Sequence, residues 1–332
     1  MSTTTASIGH VGPPPPFDPE LAETLAVIVE VLPPSITPEL IPALRSGPPG
    51  MEPLSDDELS RGGEFEVFER TVPGPAGDPG ITLLICRPAS AVTPSAVIYQ
   101  MHGGGMMLGD RRTALPDMLD LAAAVGAAVI SVEYRLAPEH PYPAPVEDCY
   151  AGLLWVAANT AELNVDPDRV VIAGPSGGGC LAAAVALLAR DRGGPALAGQ
   201  ILLAPMLDDR NDTPSALQMA GRGVWDRTSN ETAWTALLGD ARGGPDVSPY
   251  AAPARATDLS GLPPAFIYGG SAETFRDEDV AYASGIWRAG GQAELHIWSG
   301  GFHSFDLMAP QAAVSQAAKA ARISWMRRIL NS

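Results

Sequence analysis

The stretch RVVIAGPSGGG, residues 169–179, decides the fold, because a short apolar run passes directly into a glycine-rich turn around Ser176. Val170–Ala173 has the length and β-branched content of a buried strand, and the helical pattern Cys180–Arg190 follows. A serine between glycines at such a strand-to-helix turn fits the GxSxG nucleophile pattern. The glycines let neighbouring backbone approach, and the helix N-terminus directs unpaired N–H groups toward the serine. A glycine-rich turn of this kind can also serve packing alone. A catalytic interpretation therefore requires further catalytic residues elsewhere in the chain.

Outside this stretch, short apolar runs alternate with helical patterns. The apolar runs are Ala96–Tyr99, Ala127–Val132, Ile201–Leu203, Ala265–Tyr268 and Glu294–Trp298. The helical patterns are Leu115–Val125, Val146–Leu163, Val280–Ala289 and Val314–Leu330. Phe65–Glu69 and Ile81–Cys86, separated by turn residues, are predicted to form an antiparallel pair ahead of them. Continuous hydrophobic strands separated by helices are typical of a parallel sheet covered on both faces, so the sequence predicts an α/β fold.

Composition limits the class of protein and its partners. The chain has 332 residues and a net charge of −17, which repels phosphate backbones and anionic membrane surfaces. Nucleic acid and membranes are therefore not expected partners. Lys319 is the only lysine and follows no glycine-rich turn, so no Walker A nucleotide site is expected. The three cysteines have no zinc spacing, and neither a basic leader nor a membrane-length apolar stretch occurs, which predicts a cytoplasmic location.

The regular alternation breaks in residues 207–261, where tryptophans and prolines interrupt the pattern. This stretch lies between two predicted strands. Open α/β sheets bind ligands beyond the carboxyl ends of their strands, and insertions there can cover the site. We therefore interpret residues 207–261 as a lid-like insertion.

A second glycine motif, His102–Gly105 (HGGG), follows the apolar run that begins at Ala96. Acyl transfer places negative charge on a carbonyl oxygen, and glycines can present backbone N–H groups to that oxygen without obstruction. A lone HGGG sequence is equally consistent with a flexible turn. Two such loops at the ends of strands of one sheet favour an oxyanion-binding function.

The chain has five histidines from which to choose the general base that a nucleophilic serine requires. His10 lies in the N-terminal arm, and His102 belongs to the glycine loop. His140 lies upstream of the serine, and His296 lies within a strand pattern. His303 follows the last predicted strand, in a loop from which its imidazole could reach Ser176. We therefore predict His303 as the base, the alternative being an ordinary surface imidazole.

The third member of such a site is an acid that orients the histidine, and it follows the strand before it in the order serine, acid, histidine. Four acids follow Ala265–Tyr268: Glu273, Asp277, Glu278 and Asp279. Glu273 is nearest the strand end. The other three fit the first turn of the next helix, where carboxylates stabilise the helix dipole. Glu273 is the predicted acid, with Asp277 as the alternative.

These motifs, with the segment YRLAPEHPYPAP (Tyr134–Pro145) and the RDE sequence Arg276–Glu278, make the chain similar to a known family. From about Ile81 onward it resembles the hormone-sensitive-lipase-like carboxylesterases of the α/β-hydrolase superfamily. It departs from the family pattern at three positions, with a proline before the serine, a glycine after it and a glutamate as the acid: Pro175, Gly177 and Glu273. Glutamate is chemically adequate, because the carboxylate need only accept from imidazole and stay ionised.

The resemblance implies a catalytic core of residues 51–206 and 262–332, under a helical cap built from residues 1–50 and 207–261. It also implies an apolar acyl or alcohol pocket. Three residues could line that pocket, although core packing accounts for them equally well: Met106, Trp225 and Trp234. Relatives often pair two sheets through an edge strand, so a homodimer is one expected oligomeric state.

The predicted function is that of a serine carboxylesterase acting on small-molecule esters with short to medium acyl chains. Ser176 is the nucleophile, His303 the base and Glu273 the orienting acid. The N–H groups of Gly104, Gly105 and Gly177 form the oxyanion hole. The reaction needs no metal and no organic cofactor. An amidase with the same triad and a non-catalytic relative that binds a small ligand are the alternatives.

Overall fold

The structure, a computed structural model, describes residues 11–46, 54–75 and 77–331. His10, which belongs to the predicted cap, lies outside the described residues, as do the other residues of the predicted cap and core at positions 1–10, 47–53, 76 and 332. The strands are β1 (Phe65–Val72), β2 (Ile81–Pro88), β3 (Ser95–Met101), β4 (Ala127–Glu133), β5 (Val165–Pro175), β6 (Gly199–Leu203), β7 (Ala265–Gly270) and β8 (Ala293–Trp298). The helices are α1 (Pro19–Val31), α2 (Ile41–Arg45), α3 (Asp56–Ser60), α4 (Leu115–Val125), α5 (Ala144–Ala158), α6 (Thr160–Leu163), α7 (Gly177–Asp191), α8 (Pro214–Gln218), α9 (Arg227–Leu238), α10 (Arg276–Arg288), α11 (Phe305–Met308) and α12 (Ala313–Leu330).

The strands form one eight-stranded sheet in the order β1-β2-β4-β3-β5-β6-β7-β8. β2 is antiparallel to β1 and β4, and the remaining neighbours pair in parallel, which confirms the predicted α/β class and the antiparallel start. The strand order reverses between β3 and β5. Such a reversal opens a crevice at the carboxyl ends of the two strands. The loops after β3, β5, β7 and β8, which carry the predicted site residues, all emerge at that edge.

Both faces of the sheet are buried at its central strands, such as β3, β4, β6 and β7, which is why these strands read as continuous apolar runs. Along β3, Val97 and Tyr99 belong to one core cluster and Ala96 and Ile98 to the other, because successive side chains alternate between faces. The first cluster includes side chains of α5, α7 and α10, and the second includes side chains of α4 and α12. The site therefore stands on a sheet that is fixed from both sides.

The helices follow the predicted patterns closely, and α4 has the predicted bounds. The one clear difference is that residues 146–163, predicted as a single helical stretch, are divided into α5 and α6 at Asn159. The Asn159 side chain donates to the carbonyl of Trp155 (2.7 Å). Asparagine competes for backbone groups in this way and disfavours helix interiors. No helix in the three described ranges is both long and apolar enough to cross a membrane.

The insertion, residues 207–261, leaves the sheet after β6 and returns to it before β7, and it contains α8 and α9. Both helices begin at side-chain caps. The Thr213 hydroxyl accepts from the N–H of Ala216 (3.2 Å), and the Asp226 carboxylate accepts from the N–H of Ser229 (2.8 Å). Such caps satisfy N–H groups that a helix start leaves unpaired. Short, individually capped helices explain why this region lacked the regular pattern of the core.

Residues 11–46, here called the N-terminal segment, run across the catalytic edge of the sheet. Near its start, the N–H of Asp18 donates to the carbonyl of Gly300 in the loop before His303 (3.1 Å). Further along, the Ser35 hydroxyl donates to the carboxylate of Asp226 in the insertion (2.9 Å). At its end, Arg45 reaches the glycine loop after β3. The N-terminal segment thus contacts three separate parts of the site region.

Candidate active site

Ser176 occupies the turn between β5 and α7 in a strained backbone conformation, with φ 57° and ψ −121°. Positive φ is costly for a residue with a Cβ and persists only where the surroundings enforce it. Here the Ser176 N–H donates to the carbonyl of Leu203 (2.8 Å), and the Ser176 carbonyl accepts from Met206 (3.1 Å). A Cβ added to Gly174 would lie 2.3 Å from the backbone of Gly178, so a glycine is required there. The sharp turn holds the hydroxyl at the crevice.

His303 lies directly beside this hydroxyl, although 127 residues separate the two in sequence. Its Nε2 is 3.0 Å from Ser176 Oγ, and its Nδ1 is 2.9 Å from Glu273 Oε2. All three side chains are buried. The ring of Phe275 meets the imidazole edge to face, with 5.2 Å between centroids, and so restricts its rotation. The geometry brings together the three residues that the sequence singled out.

The alternative acid, Asp277, points elsewhere. One of its oxygens accepts from the N–H of Ser215 in α8 (2.8 Å), and the other accepts from the side chain of Arg276 (2.7 Å). Glu273, in contrast, is held by the N–H of Phe275, which donates to Oε1 (3.2 Å) and leaves Oε2 for the histidine. The structure therefore places Glu273 and not Asp277 on the imidazole.

The glycine loop after β3 meets the N-terminus of α7. Gly104 and Gly105 both have positive φ, 110° and 60°. A Cβ added to Gly177 would lie 2.9 Å from the backbone nitrogens of both Gly105 and Met106 and 2.8 Å from the Cα of Gly105. The two backbones are thus too close for any side chain at residue 177. This contact is a physical reason for glycine where the family usually has alanine, and it brings Gly105 and Gly177 together beside the serine.

The glycine loop rests on a buried aromatic pair. The rings of His102 and Tyr134 stack with 4.0 Å between centroids, and the Tyr134 hydroxyl donates to the carbonyl of His102 (2.7 Å). Burial lowers the pKa of His102, which favours the neutral imidazole. A rigid, uncharged support of this kind fixes the loop without adding a charge near the serine.

Arg45 holds the same loop from the outside, a role that sequence reasoning missed. Its guanidinium donates to the carbonyls of Met107 (2.8 Å) and Ala137 (2.6 Å) and pairs with Glu139 (2.8 Å). The N–H of Ala137 in turn donates to the carbonyl of Met106 (2.9 Å). No local pattern marks a residue whose partners lie 62 to 94 positions away.

The three predicted pocket residues lie in different surroundings. The Trp225 ring lies 6.2 Å from the His303 ring, and a Cβ added to Gly105 would meet it at 2.6 Å, so Trp225 adjoins both the base and the glycine loop. Met106 continues the glycine loop and is buried. Trp234 is wholly buried in the core cluster, as ordinary packing would require. A pocket role for these residues stays a prediction.

Two further carboxyl groups lie behind the triad, on the first turn of α10. Glu278 accepts from the N–H groups of Leu207 (2.6 Å) and Asp208 (3.1 Å), where the insertion begins. Asp279 is wholly buried. Desolvation raises the pKa of each well above its usual range, and neighbouring carboxylates raise it further. The sequence suggested only that both residues stabilise the helix dipole. The structure adds that Glu278 holds the start of the insertion and that Asp279 is buried behind the triad.

Comparison with known proteins identifies the family to which this fold belongs. The model of a family described by its alpha/beta hydrolase fold matches residues 98–307. The carboxylesterase NlhH of Mycobacterium tuberculosis is 39% identical over 259 residues, which cover 75% of this chain and 79% of that protein. Among solved structures, a bacterial heroin esterase superposes with a TM-score of 0.86 at 38% identity, covering 95% of this chain and 98% of its own. The esterase LipW of Mycobacterium marinum superposes with a TM-score of 0.85 at 32% identity, and the match covers 96% of this chain and 99% of that protein.

Proposed function

Because the chain belongs to the α/β-hydrolase fold family and is a carboxylesterase, we propose that it hydrolyses esters with short to medium acyl chains through Ser176, His303 and Glu273. One observation carries this assignment: a single buried imidazole lies within 3.0 Å of the serine hydroxyl on one side and 2.9 Å of a carboxylate on the other. This is the arrangement that activates a serine for acyl transfer.

In the acylation step, Ser176 Oγ attacks the ester carbonyl carbon while His303 Nε2 takes the hydroxyl proton. The carboxylate of Glu273 stabilises the imidazolium that forms. The carbonyl oxygen becomes an oxyanion, which accepts from the N–H groups of Gly104, Gly105 and Gly177. Each such donor lowers the barrier by about 3 kcal/mol.

Collapse of the tetrahedral intermediate breaks the ester C–O bond, and the His303 imidazolium gives its proton to the leaving alcohol. The acyl group remains on Ser176. Water then attacks the acyl carbonyl carbon while His303 again takes the proton, and a second collapse releases the carboxylic acid and restores the serine. In this second collapse the bond from the acyl carbon to Ser176 Oγ breaks, and the His303 imidazolium returns the proton taken from water to Ser176 Oγ.

The N-terminal segment and the insertion are proposed to form one cap over this site. Contacts between them support a joint cap: Ser35 donates to Asp226, and the N–H of Ile36 donates to the Ser229 hydroxyl (both 2.9 Å). Trp225, within the insertion, adjoins the base, so the cap would supply part of the wall that limits acyl length. A homodimer through the edge strand β8 and a cytoplasmic location belong to the same proposal as predictions.

The decisive experiment measures hydrolysis of p-nitrophenyl acetate, butyrate, octanoate and laurate by wild type, Ser176→Ala, Glu273→Gln and Asp277→Asn. We expect activity to be highest on the shorter chains. Ser176→Ala should lower kcat by at least about 10⁴-fold and Glu273→Gln by about 10³-fold, because the neutral amide no longer stabilises the imidazolium. Asp277→Asn, the matched control, should stay within about threefold of wild type, since its carboxylate contacts α8 and not the base.

Full activity in Ser176→Ala would refute the proposed nucleophile. If kcat falls in Asp277→Asn but not in Glu273→Gln, Asp277 and not Glu273 is the acid that orients His303. Paired esters and amides of the same acyl group separate the esterase from an amidase. Labelling with a fluorophosphonate that depends on Ser176 separates both enzymes from a protein that only binds its ligand.

A further inference from the structure

Asp279 is a buried carboxyl group with no evident partner. Its side chain is 0% exposed, and neither of its oxygens has a hydrogen-bond donor within the described part of the chain. Buried carboxylates are normally paired with a cation or held by several N–H groups, because an isolated buried charge is very costly. Asp279 therefore needs an explanation in terms of what lies beside it.

The neighbour of Asp279 is the triad acid. A Cβ added to Gly269, at the end of β7, would lie 2.9 Å from Asp279 Oδ2 and 3.5 Å from Glu273 Oε1. The two carboxyl oxygens thus converge over the same backbone position, where the absence of a side chain leaves room for them. Glu273 turns its other oxygen, Oε2, toward His303. Oε1 is the oxygen that lies on the side of Gly269, where Asp279 Oδ2 also lies.

Within ranges 11–46, 54–75 and 77–331, the charged groups that act strongly on Asp279 are acidic. They are Glu273 and, on its own helix, Asp277 and Glu278. Burial raises the pKa of Asp279 well above its usual range, and the charge of Glu273 adds to this. Two adjacent buried carboxyl groups without a cation cannot both ionise. Glu273 is the one that contacts the imidazole, so the proton of the pair is assigned to Asp279.

We propose that Asp279 is a positioning residue of the triad, whose protonated carboxyl donates its O–H to Glu273 Oε1 and so holds Oε2 on His303. The inference rests on the proposed function. The proton stays on Asp279 throughout the cycle, and no group is transferred. Oε1 then receives two donors, the O–H of Asp279 and the N–H of Phe275 (3.2 Å).

This arrangement suits a glutamate in particular. Glutamate has one more rotatable bond than the aspartate usual in the family, so its carboxylate has more freedom to leave the imidazole. Two donors on Oε1 restrict that freedom. A neutral donor also lets Glu273 keep its charge, whereas a second carboxylate would repel it.

The experiment compares Asp279→Asn, which keeps a neutral donor of similar shape, with Asp279→Leu, which keeps the branched shape with a somewhat larger side chain and removes the donor. We expect Leu to lower kcat by about tenfold with little change in KM, and Asn to restore kcat to within about threefold of wild type. The alkaline fall in kcat should move to higher pH in the Asn variant, because its amide cannot ionise. Tyr282→Phe is the matched control. It lies one turn along α10, its buried hydroxyl has no partner among the described residues, and its loss should leave kcat unchanged.

An independent readout is the infrared carbonyl band of a protonated carboxyl group. Wild type should show it at neutral pH, and Asp279→Asn should lose one such component even in protein that is catalytically inactive. The proposal is overturned if Asp279→Asn keeps the full infrared band, or if its kcat falls as much as that of Asp279→Leu. It is also overturned if a folded Asp279→Leu variant has the kcat of wild type. If Ser176→Ala abolishes activity while these variants behave like wild type, the esterase assignment stands and only this inference fails.

Discussion

Two helices on opposite faces of the sheet, α4 and α10, each hold a buried carboxyl group, and they do so in opposite ways. On one face, Asp117 of α4 pairs with Arg322 (2.7 Å) and Lys319 (3.0 Å), both from α12. On the other face, beside the triad, Asp279 of α10 has acids around it and no paired cation among the residues that the structure describes. Ion pairs join α4 to α12 on the face of the sheet away from the triad. Next to the catalytic carboxylate, where a cation would compete with the imidazolium, a retained proton provides the neutralisation.

The largest effect is expected when the cation that pairs with Asp117, the Arg322 guanidinium, is removed. Arg322→Met should lower the free energy of unfolding by about 3 kcal/mol, because it leaves the buried Asp117 with only the partly exposed Lys319. The measurement is urea denaturation at neutral pH. The control is Arg328→Met on the same helix, whose more exposed pair with Glu294 should contribute less than about 1 kcal/mol. Equal losses in the two variants would remove the distinction between the faces.

A medium effect is expected in the pH dependence of stability. The pKa of Asp279 is raised on folding, so the stabilisation that its proton contributes is complete below the unfolded pKa of about 3.9 and is lost as pH rises toward the folded pKa. The free energy of unfolding of wild type should therefore fall by up to about 1.4 kcal/mol per pH unit relative to Asp279→Asn. Unfolding of both proteins between pH 5 and 8 measures this slope. Glu278 is present in both proteins and faces a neutral side chain at residue 279 in both while Asp279 keeps its proton, so a difference in slope reports Asp279. Parallel curves would contradict the assignment.

The smallest effect is expected where a pair is exposed. Glu139 is 57% exposed and pairs with Arg45, whose guanidinium also donates to two loop carbonyls. Glu139→Gln should change the free energy of unfolding by less than about 0.5 kcal/mol, because water screens the pair. Thermal melts at low and high salt provide the measurement. A loss comparable to that of Arg322→Met would mean that burial does not decide the value of these pairs.

The sequence predicted the parts of the site that depend on topology and local motifs. Ser176 and His303 could be placed because glycine-rich turns and strand ends have local signatures, and parallel strands bring their carboxyl ends to one edge. Glu273 followed from its distance to a strand end, and the structure places it on the imidazole.

The contacts that support these residues had no such signature. Asp279 lies in a first helical turn, where an acid already has a sufficient reason to occur. Arg322 and Asp117 are more than 200 positions apart, and a charged residue in a helical pattern is more often exposed. Only the packing of helices on the sheet shows which charges are buried and what faces them.

The N-terminal segment has a consequence for how this enzyme would lose activity. It contacts the loop before His303 through Asp18, the insertion through Ser35 and the glycine loop through Arg45, each through a small number of hydrogen bonds. Such peripheral elements open with less free energy than the whole fold requires. One sub-global opening of this segment would therefore loosen the loop before His303, the insertion and the glycine loop together while the sheet stays intact, so we expect inactivation to begin at this segment before the whole fold opens.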